Sequence, residues 1–279
     1  MLGFLNINKP SGLTSSKVVA LVKRLCPRGT KVGHMGTLDP MASGVLPIAI
    51  GRATRLFDLM QDKQKEYVAT FKFGLTTDTL DATGITTDTT KNIPTEQQIV
   101  NKLSSFVGEI EQMPPAYSAK MVGGVRAYEK ARKGQEVLLK PCKVKIFKFE
   151  LLEKIDQSTY KFKIQCGSGT YIRSLCRDLA AQLNSLAVMT ELVRTKTGPF
   201  CLENSLSCDN INLSSIMLVD QVLNYPKLSL SEVELKVLLD GKQIKKNCLD
   251  GAYLGYVGNE LQLVLTMKNG CSTTKIWLR

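Results

Sequence analysis

The sequence has few of the residues on which metal sites and membrane spans depend. It contains one histidine, His34, and none of its eight cysteines forms a C-x-x-C pair. This composition does not match a Cys/His zinc site. No apolar run approaches the roughly 18 residues that a membrane-spanning helix needs. No Gly-Lys-Ser/Thr triplet closes a glycine-rich loop, as a phosphate-binding loop requires. The sequence therefore predicts neither a metal, nor a membrane span, nor a P-loop.

The cysteines and the start of the chain indicate a reducing compartment. The chain begins MLGFLNINKP, which lacks the apolar core of a signal peptide. Disulfides are rare in cytosolic proteins, where free cysteine behaves as a small apolar residue. We therefore expect reduced thiols, most of them in the core, and a cytoplasmic protein.

Charge is the strongest compositional feature. Apolar residues make up 43% and charged residues 22% of 279 residues, which is enough for an ordinary folded core. Lysine and arginine number 37 against 25 acidic residues, giving a net charge of +12. Residues 1–66 and 111–148 are basic and flank a slightly acidic stretch, 67–110. This pattern fits either solvated faces or two walls of an anion-binding cleft, with nucleic acid or an anionic membrane as the partner.

Periodicity predicts an α+β protein with a mixed or antiparallel sheet. Helical spacing follows possible N-caps at Thr14 and Thr95 and begins again at Ile172, whereas residues 66–74 alternate as a strand does. A hairpin is predicted to join 144–152 to 160–166. After an acidic connector, 203–226, three short β-like runs follow, and Asn269-Gly270 predicts a tight hairpin between the last two. We expect a large domain over 1–225 and a small β-rich domain over 226–279.

Three segments carry residues that could do chemistry. Asp39 lies in a glycine-rich basic loop before Pro40 and is either a turn-former or a functional carboxylate. Arg173 occupies a predicted first helical turn, together with Tyr171, where its charge opposes the helix dipole. It is therefore either a surface residue or the partner of a buried carboxylate. Residues 112–134 mix basic residues and tyrosines, as an RNA-binding arm or an ordinary surface helix would.

Six motifs in order give the sequence a resemblance to the TruB family of tRNA pseudouridine synthases. The resemblance covers most of the chain, and it is weakest over the last fifty residues, which correspond in position to a PUA-like domain. The motifs are Lys9-Pro-Ser-Gly-Leu-Thr-Ser15, Gly33-His-Met-Gly-Thr-Leu-Asp-Pro40, Lys65-Glu-Tyr67, Gly74-Leu-Thr-Thr-Asp-Thr-Leu-Asp-Ala-Thr-Gly84, Pro114-Pro-Ala-Tyr-Ser-Ala-Lys120 and Gly169-Thr-Tyr-Ile-Arg173.

The resemblance implies an isomerase that converts the uridine at position 55 of the tRNA T loop to pseudouridine without metal or cofactor. Asp39 matches the catalytic nucleophile and Arg173 the arginine paired with it; such a partner lowers a carboxylate pKa and would keep Asp39 charged. Tyr67 matches a tyrosine that stacks on the target base and contributes to moving the C5 proton. The remaining matches bind substrate: His34 contacts the RNA, Tyr171 and Leu192 line the base pocket, and 112–134 is the mobile RNA-clamping insertion.

Two other functions remain open from the sequence. The same scaffold could serve as a non-catalytic RNA-binding or tRNA-folding module, although such a module has no need for the Asp39, Tyr67 and Arg173 set. A guide-RNA-dependent enzyme would share the catalytic loop, but those relatives have larger C-terminal regions than the fifty-odd residues here. We therefore expect a monomer that acts alone on the tRNA T stem-loop, with no membrane or protein partner.

Overall fold

The computed structural model describes residues 1–61, 64–118 and 120–279, with no account of the Gln61 side chain. Ala119, which falls within the predicted arm, lies outside the described residues. The helices are α1 (Ser15–Leu25), α2 (Phe57–Gln61), α3 (Glu96–Leu103), α4 (Ala127–Arg132), α5 (Ile172–Gln182), α6 (Val219–Val222) and α7 (Glu232–Leu239). The strands are β1 (Gly3–Lys9), β2 (Val32–His34), β3 (Ser43–Ile50), β4 (Lys65–Phe73), β5 (Leu75–Thr77), β6 (Thr86–Thr89), β7 (Gly108–Gln112), β8 (Met121–Val122), β9 (Val125–Arg126), β10 (Cys142–Lys154), β11 (Thr159–Cys166), β12 (Ala187–Thr197), β13 (Phe200–Cys201), β14 (Leu206–Ser207), β15 (Lys227–Ser229), β16 (Gly251–Val257), β17 (Glu260–Lys268) and β18 (Cys271–Trp277).

One mixed sheet organises the larger part of the chain. Its strand order is β14-β1-β3-β12-β4-β11-β10-β7, with β2 added beside β3 and β13 beside β12. The pairs β1–β14 and β3–β12 are parallel, and the other pairs along this path are antiparallel. The prediction of a mixed or antiparallel α+β sheet is therefore confirmed, as is the hairpin of β10 and β11.

The predicted N-terminal caps form as the sequence indicates. The Thr14 hydroxyl accepts from the Lys17 N–H ahead of α1, and Thr95 and Gln98 make a reciprocal capping box ahead of α3. Such caps satisfy N–H groups that have no partner inside the helix. Tyr171 differs slightly from the expectation: it is the N-cap of α5, and the helix begins one residue later.

The main apolar core lies between one face of this sheet and helices α1, α3 and α5. Each helix contributes a stripe spaced three or four residues apart, which is the spacing that a helix needs to bury one side. The buried residues include Val18, Val22, Ile99, Leu103, Leu175 and Leu179 from the helices, and Leu46, Tyr67, Phe71, Phe162 and Leu192 from the strands. Tyr67 and Leu192 therefore lie inside this core.

The C-terminal strands form a separate four-stranded sheet in the order β15-β16-β17-β18. Asn269 and Gly270 both have positive φ, 50° and 71°, and join β17 to β18 as the sequence predicts. Leu254 and Val264 of this sheet pack in one apolar cluster with Phe4 of β1. The small sheet is therefore attached to the N-terminal strands through shared core residues.

The acidic stretch 203–226 is more structured than a connector. Its strand β14 pairs with β1, and Phe4 and Met217 exchange two backbone hydrogen bonds of 2.9 and 2.8 Å. Its acidic residues gave no β-like periodicity, so these pairings were not expected.

Among the described residues, no helix is both long enough and apolar enough to cross a membrane.

Candidate active site

The loop that carries Asp39 connects β2 to β3 and is fixed by residues from the N-terminal segment. The Ser15 hydroxyl donates to the Leu38 carbonyl at 3.0 Å and accepts from the Leu38 N–H at 2.9 Å. The Pro40 carbonyl accepts from the Gly12 N–H at 2.8 Å and from Lys9 Nζ at 3.2 Å. These contacts hold the backbone on both sides of Asp39.

Lys9 is a fully buried cation beside this loop. Its ammonium also donates to the Leu13 and Pro10 carbonyls, at 2.7 and 2.9 Å. Burial lowers the pKa of Lys9 to about 8, and the charge of Asp39 partly opposes that shift. The three carbonyls together replace the water that an exposed ammonium would bind.

Arg173 brings two carboxylates together. Its Nη2 atom lies 2.8 Å from Asp39 Oδ2, and its Nη1 atom lies 3.5 Å from Asp81 Oδ2. The same guanidinium donates to the Thr79 and Tyr117 carbonyls at 2.9 and 3.0 Å. A buried cation in the first turn of a helix is unfavourable alone, so the carboxylate partner that the sequence suggested for Arg173 is present.

The pKa of Asp39 corrects one expectation from the sequence. Burial raises the pKa of this carboxyl above its usual value, and the charge of Asp81 raises it further, while the Arg173 guanidinium opposes both. The expected lowering is therefore wrong for the net direction, although it is right for the contribution of Arg173. The ionised form of Asp39 depends on Arg173, because without that partner the desolvation penalty would be unopposed.

Asp81 is the site residue that reasoning from the sequence missed. Its Oδ1 atom accepts from the Thr79 hydroxyl, the Thr83 N–H and the Thr83 hydroxyl, at 2.9, 3.0 and 2.5 Å. The signal was present in the sequence, since a buried carboxylate needs nearby donors and two threonines flank Asp81 at two residues on either side. The fold alone shows that this loop reaches Arg173.

A cavity of about 440 Å³ opens in front of Asp39 and Arg173. His34 lines it, and the buried His34 Nδ1 has no hydrogen-bond partner in the described part of the chain. Ser118, whose hydroxyl is also buried and has no partner among the described residues, lines the cavity too. Burial lowers the pKa of His34, so its ring is neutral at neutral pH.

The arm over 112–134 forms another wall of this cavity. It contains the β8–β9 hairpin and the helix α4. The side chains of Arg126, Tyr128 and Arg132 reach the cavity, and the Arg132 guanidinium lies 5.4 Å from the centre of the Tyr128 ring. The arm therefore places cations and an aromatic ring beside Asp39, which suits a polyanion with bases that stack.

The other residues that the sequence singled out lie deeper or at the margin. Tyr67 is buried on β4 and Leu192 on β12, and neither lines the open cavity. Burial raises the pKa of Tyr67 to about 12, so its phenol is protonated at neutral pH. The N–H of Tyr171 donates to Gln112 Oε1 at 2.8 Å, which links α5 to the base of the arm. Across residues 1–61, 64–118 and 120–279, no three His, Cys, Asp or Glu side chains group as metal ligands.

Comparisons with known proteins agree with this geometry. Residues 23–172 match the family described as TruB family pseudouridylate synthase (N terminal domain). The tRNA pseudouridine synthase B of Clostridium kluyveri is 42% identical over 272 residues, covering 93% of each chain. The protein of the same name in Rickettsia akari is 45% identical over 204 residues, covering 73% of this chain and 70% of its own. The chain belongs to the TruB family.

A solved structure supports the fold. The chain in the structure described as an H/ACA RNP bound to a substrate RNA containing 2′-deoxyuridine superposes with a TM-score of 0.70 at 24% identity. The match covers 99% of this chain and 85% of that chain. At this identity the match establishes the shared fold alone, including its small C-terminal sheet.

Proposed function

We propose that this protein isomerises uridine in tRNA to pseudouridine, and that its target is the uridine at position 55 of the T loop. The observation that carries the proposal is the 2.8 Å ion pair of Asp39 and Arg173 at an open cavity, in a chain of the TruB family. Relatives that are 42–45% identical are named tRNA pseudouridine synthase B. The net charge of +12 fits a polyanionic substrate.

The reaction needs a nucleophile and no redox partner. We assign Asp39 as that nucleophile, since it is the more exposed of the two carboxylates that Arg173 holds, 34% against 6% for Asp81. Asp39 bonds to C1′ as the N1–C1′ bond breaks, the uracil turns, and the bond from Asp39 to C1′ breaks as C5 bonds to C1′. The proton leaves C5 and N1 gains one, so every heavy atom is retained. An isomerisation of this kind needs neither an electron carrier nor a metal.

The resemblance to the TruB family assigns roles to the other residues. Arg173 favours the ionised form of Asp39, and His34 contacts the RNA beside the flipped nucleotide with its neutral ring. Tyr67 and Leu192 form the floor of the base pocket beneath the cavity, and Tyr67 contributes to moving the C5 proton. Tyr171 lines the pocket at the start of α5. These roles are carried over from the TruB motifs. The burial of Tyr67 and Leu192 is compatible with contact to the base, provided that the base enters beyond the open cavity.

The target uridine must leave its loop to reach Asp39. Extruding a base costs a few kcal/mol of stacking and pairing. The arm over 112–134 supplies offsetting contacts to phosphates and bases through its cations and tyrosines. The open cavity of about 440 Å³ lies between the arm and the Asp39 loop, where a single flipped nucleotide would enter.

We also propose a division into a catalytic domain over 1–225 and a PUA-like domain over 226–279. The separate sheet of β15–β18 and its own apolar cluster, which includes Leu230, Leu263 and Met267, support this boundary. We expect the protein to act as a monomer without a protein partner. We expect it to act in the cytoplasm, where its proposed substrate is found.

Tritium release from a T stem-loop RNA carrying [5-³H]uridine tests the function. We expect release by the wild type, with no guide RNA present, and none by Asp39→Asn, whose RNA affinity stays near that of the wild type. Asp88→Asn, an exposed aspartate on β6, serves as the matched control and should release tritium normally. Binding without release by the wild type would leave the RNA-binding module as the function. Release that appears only with a guide RNA would indicate the guide-dependent class.

A further inference from the structure

The second buried arginine near the site, Arg194 on β12, has no role so far. It is 1% exposed and is the largest fully buried side chain in the described part of the chain. Within the described part of the chain, no carboxylate forms an ion pair with Arg194. A guanidinium cannot lose its proton in a protein, so the fold bears the cost of burying this charge. Such a cost is expected where a group performs a specific task.

The guanidinium of Arg194 binds both ends of the loop that carries Asp39. Nε donates to the Val45 carbonyl at 2.7 Å, after Asp39 in the sequence. Nη2 donates to the Gly36 carbonyl at 3.0 Å and Nη1 lies 3.4 Å from the Thr37 carbonyl, both before it. The planar donors of arginine have a fixed geometry, so these carbonyls cannot move independently.

Arg194 is also the cross-strand neighbour of Tyr67. The two residues pair directly across β12 and β4, so their side chains point to the same face. Burial raises the pKa of the Tyr67 phenol, and the nearby positive charge of Arg194 opposes that effect. Arg194 therefore binds the backbone on both sides of Asp39 and shares one face of the sheet with Tyr67.

The backbone around Arg194 is shaped to permit this contact. Gly44 pairs with Arg194 between β3 and β12 and has a φ of +101°. A Cβ atom at position 44 would lie 2.3 Å from the Arg194 carbonyl oxygen. Gly36, with a φ of +140°, leaves the space next to Arg194 Nη1 open. Glycine at position 44 therefore allows β3 to approach Arg194 closely.

We propose that Arg194 is a positioning residue for the isomerisation, which fixes the Asp39 loop relative to Tyr67, its cross-strand neighbour, by binding the Gly36 and Val45 carbonyls on either side of Asp39. This inference rests on the proposed function. It predicts that Arg194 acts on the chemical step and has little effect on RNA affinity, because its side chain does not reach the open cavity. A misplacement of about 1 Å in an active site costs on the order of 100-fold in rate.

The test compares Arg194→Lys and Arg194→Met with the wild type. We expect Arg194→Met to lower the single-turnover rate of tritium release about 100-fold, with the RNA dissociation constant changed less than about threefold. Arg194→Lys keeps the charge but cannot reach three carbonyls with one nitrogen, so its rate should fall between the two. Arg55→Lys is the matched control, because Arg55 also donates to a backbone carbonyl, that of Trp277, away from this loop.

Two further measurements separate positioning from stability. Ile146→Val, a buried position in the same sheet on β10, should lower the thermal midpoint while leaving the single-turnover rate near that of the wild type. If Arg194 acts through Tyr67, Arg194→Lys should cost less in a Tyr67→Phe background than in the wild type. An unchanged rate in Arg194→Lys, or an RNA affinity that falls as far as the rate, would overturn the inference. Failure of the proposed function is separate, since the wild type would then release no tritium.

Discussion

Arg173 Nη2 lies 2.8 Å from Asp39 Oδ2, and Arg173 Nη1 lies 3.5 Å from Asp81 Oδ2, so one buried guanidinium separates two carboxylates. Burial and the charge of Asp81 raise the pKa of Asp39, while Arg173 opposes both. The protonation of the proposed nucleophile is therefore a balance between neighbours of opposite sign. This balance can be shifted in either direction by a single substitution.

Removing the Arg173 guanidinium should raise the pH at which the enzyme becomes active. Asp39 must be ionised to attack, so the rate rises with pH through its pKa. In Arg173→Met the charge that lowers this pKa is lost, and the acidic limb of the single-turnover pH profile should move to higher pH. Lys163→Met is the control, because Lys163 pairs with Glu66, 3.1 Å apart, outside the cavity. A limb that stays in place would show that Arg173 does not control Asp39.

Removing the second carboxylate should have the opposite effect. Asp81 raises the pKa of Asp39, so in Asp81→Asn that pKa falls and the acidic limb should move to lower pH. Asparagine retains the oxygen that accepts from Thr79 and Thr83, which preserves the loop. The plateau of the single-turnover pH profile is compared separately from the position of the limb, because Arg173 loses an ion-pair partner in this variant and the plateau rate can change for that reason. A shift to higher pH would contradict the assignment of Asp81.

Because of Lys9, the free energy of unfolding should depend on pH in the alkaline range. Its pKa of about 8 in the folded state lies below the ordinary value of 10.5, so the folded protein releases this proton first. The contribution of Lys9 to stability is therefore present above about pH 10.5 and lost as pH falls through 8. The free energy of unfolding of the wild type should rise relative to Lys9→Met by up to about 3 kcal/mol over this window. Urea titrations measure it, and the exposed Lys17→Met should show no such trend.

Gly44→Ala should destabilise the fold more than an alanine at another glycine of positive φ. Gly44 and Gly29 have φ values of +101° and +86°, but only at Gly44 would a Cβ meet the backbone of Arg194. Both substitutions carry the cost of the left-handed region, about 1 kcal/mol or more. The steric overlap at Gly44 should add about 2 kcal/mol. Equal unfolding midpoints for the two variants would contradict this close approach.

The positive charges of the arm over 112–134 should contribute to RNA affinity. Lys130→Ala together with Lys133→Ala should weaken RNA binding and flatten its salt dependence. If both lysines contact phosphates, the slope of log affinity against log salt should fall by roughly 1.4 to 1.8, since each contact contributes about 0.7 to 0.9. Lys91→Ala, exposed outside the arm, is the control. An unchanged slope would exclude these lysines from the RNA interface.

The sequence by itself determined the local features of this protein. The Thr95 capping box, the Asn269-Gly270 turn and the unfavourable place of Arg173 in its helix depend on residues close in the chain, so their patterns are readable. The motif around Asp39 likewise indicates the family from residues that are contiguous in the chain. These inferences need no knowledge of which strands become neighbours.

Only the tertiary structure decided which distant groups surround Asp39. The strand of Arg194, β12, lies between β3 and β4 in the sheet although it is far from both in the sequence, and the Asp81 loop is likewise brought to Arg173 only by the fold. The direction of the pKa shift of Asp39 depends on the same packing, because desolvation is set by every element that excludes water from the carboxylate. A charge pattern predicts partners of opposite sign, whereas the depth of burial, which decides the balance, is a property of the assembled fold.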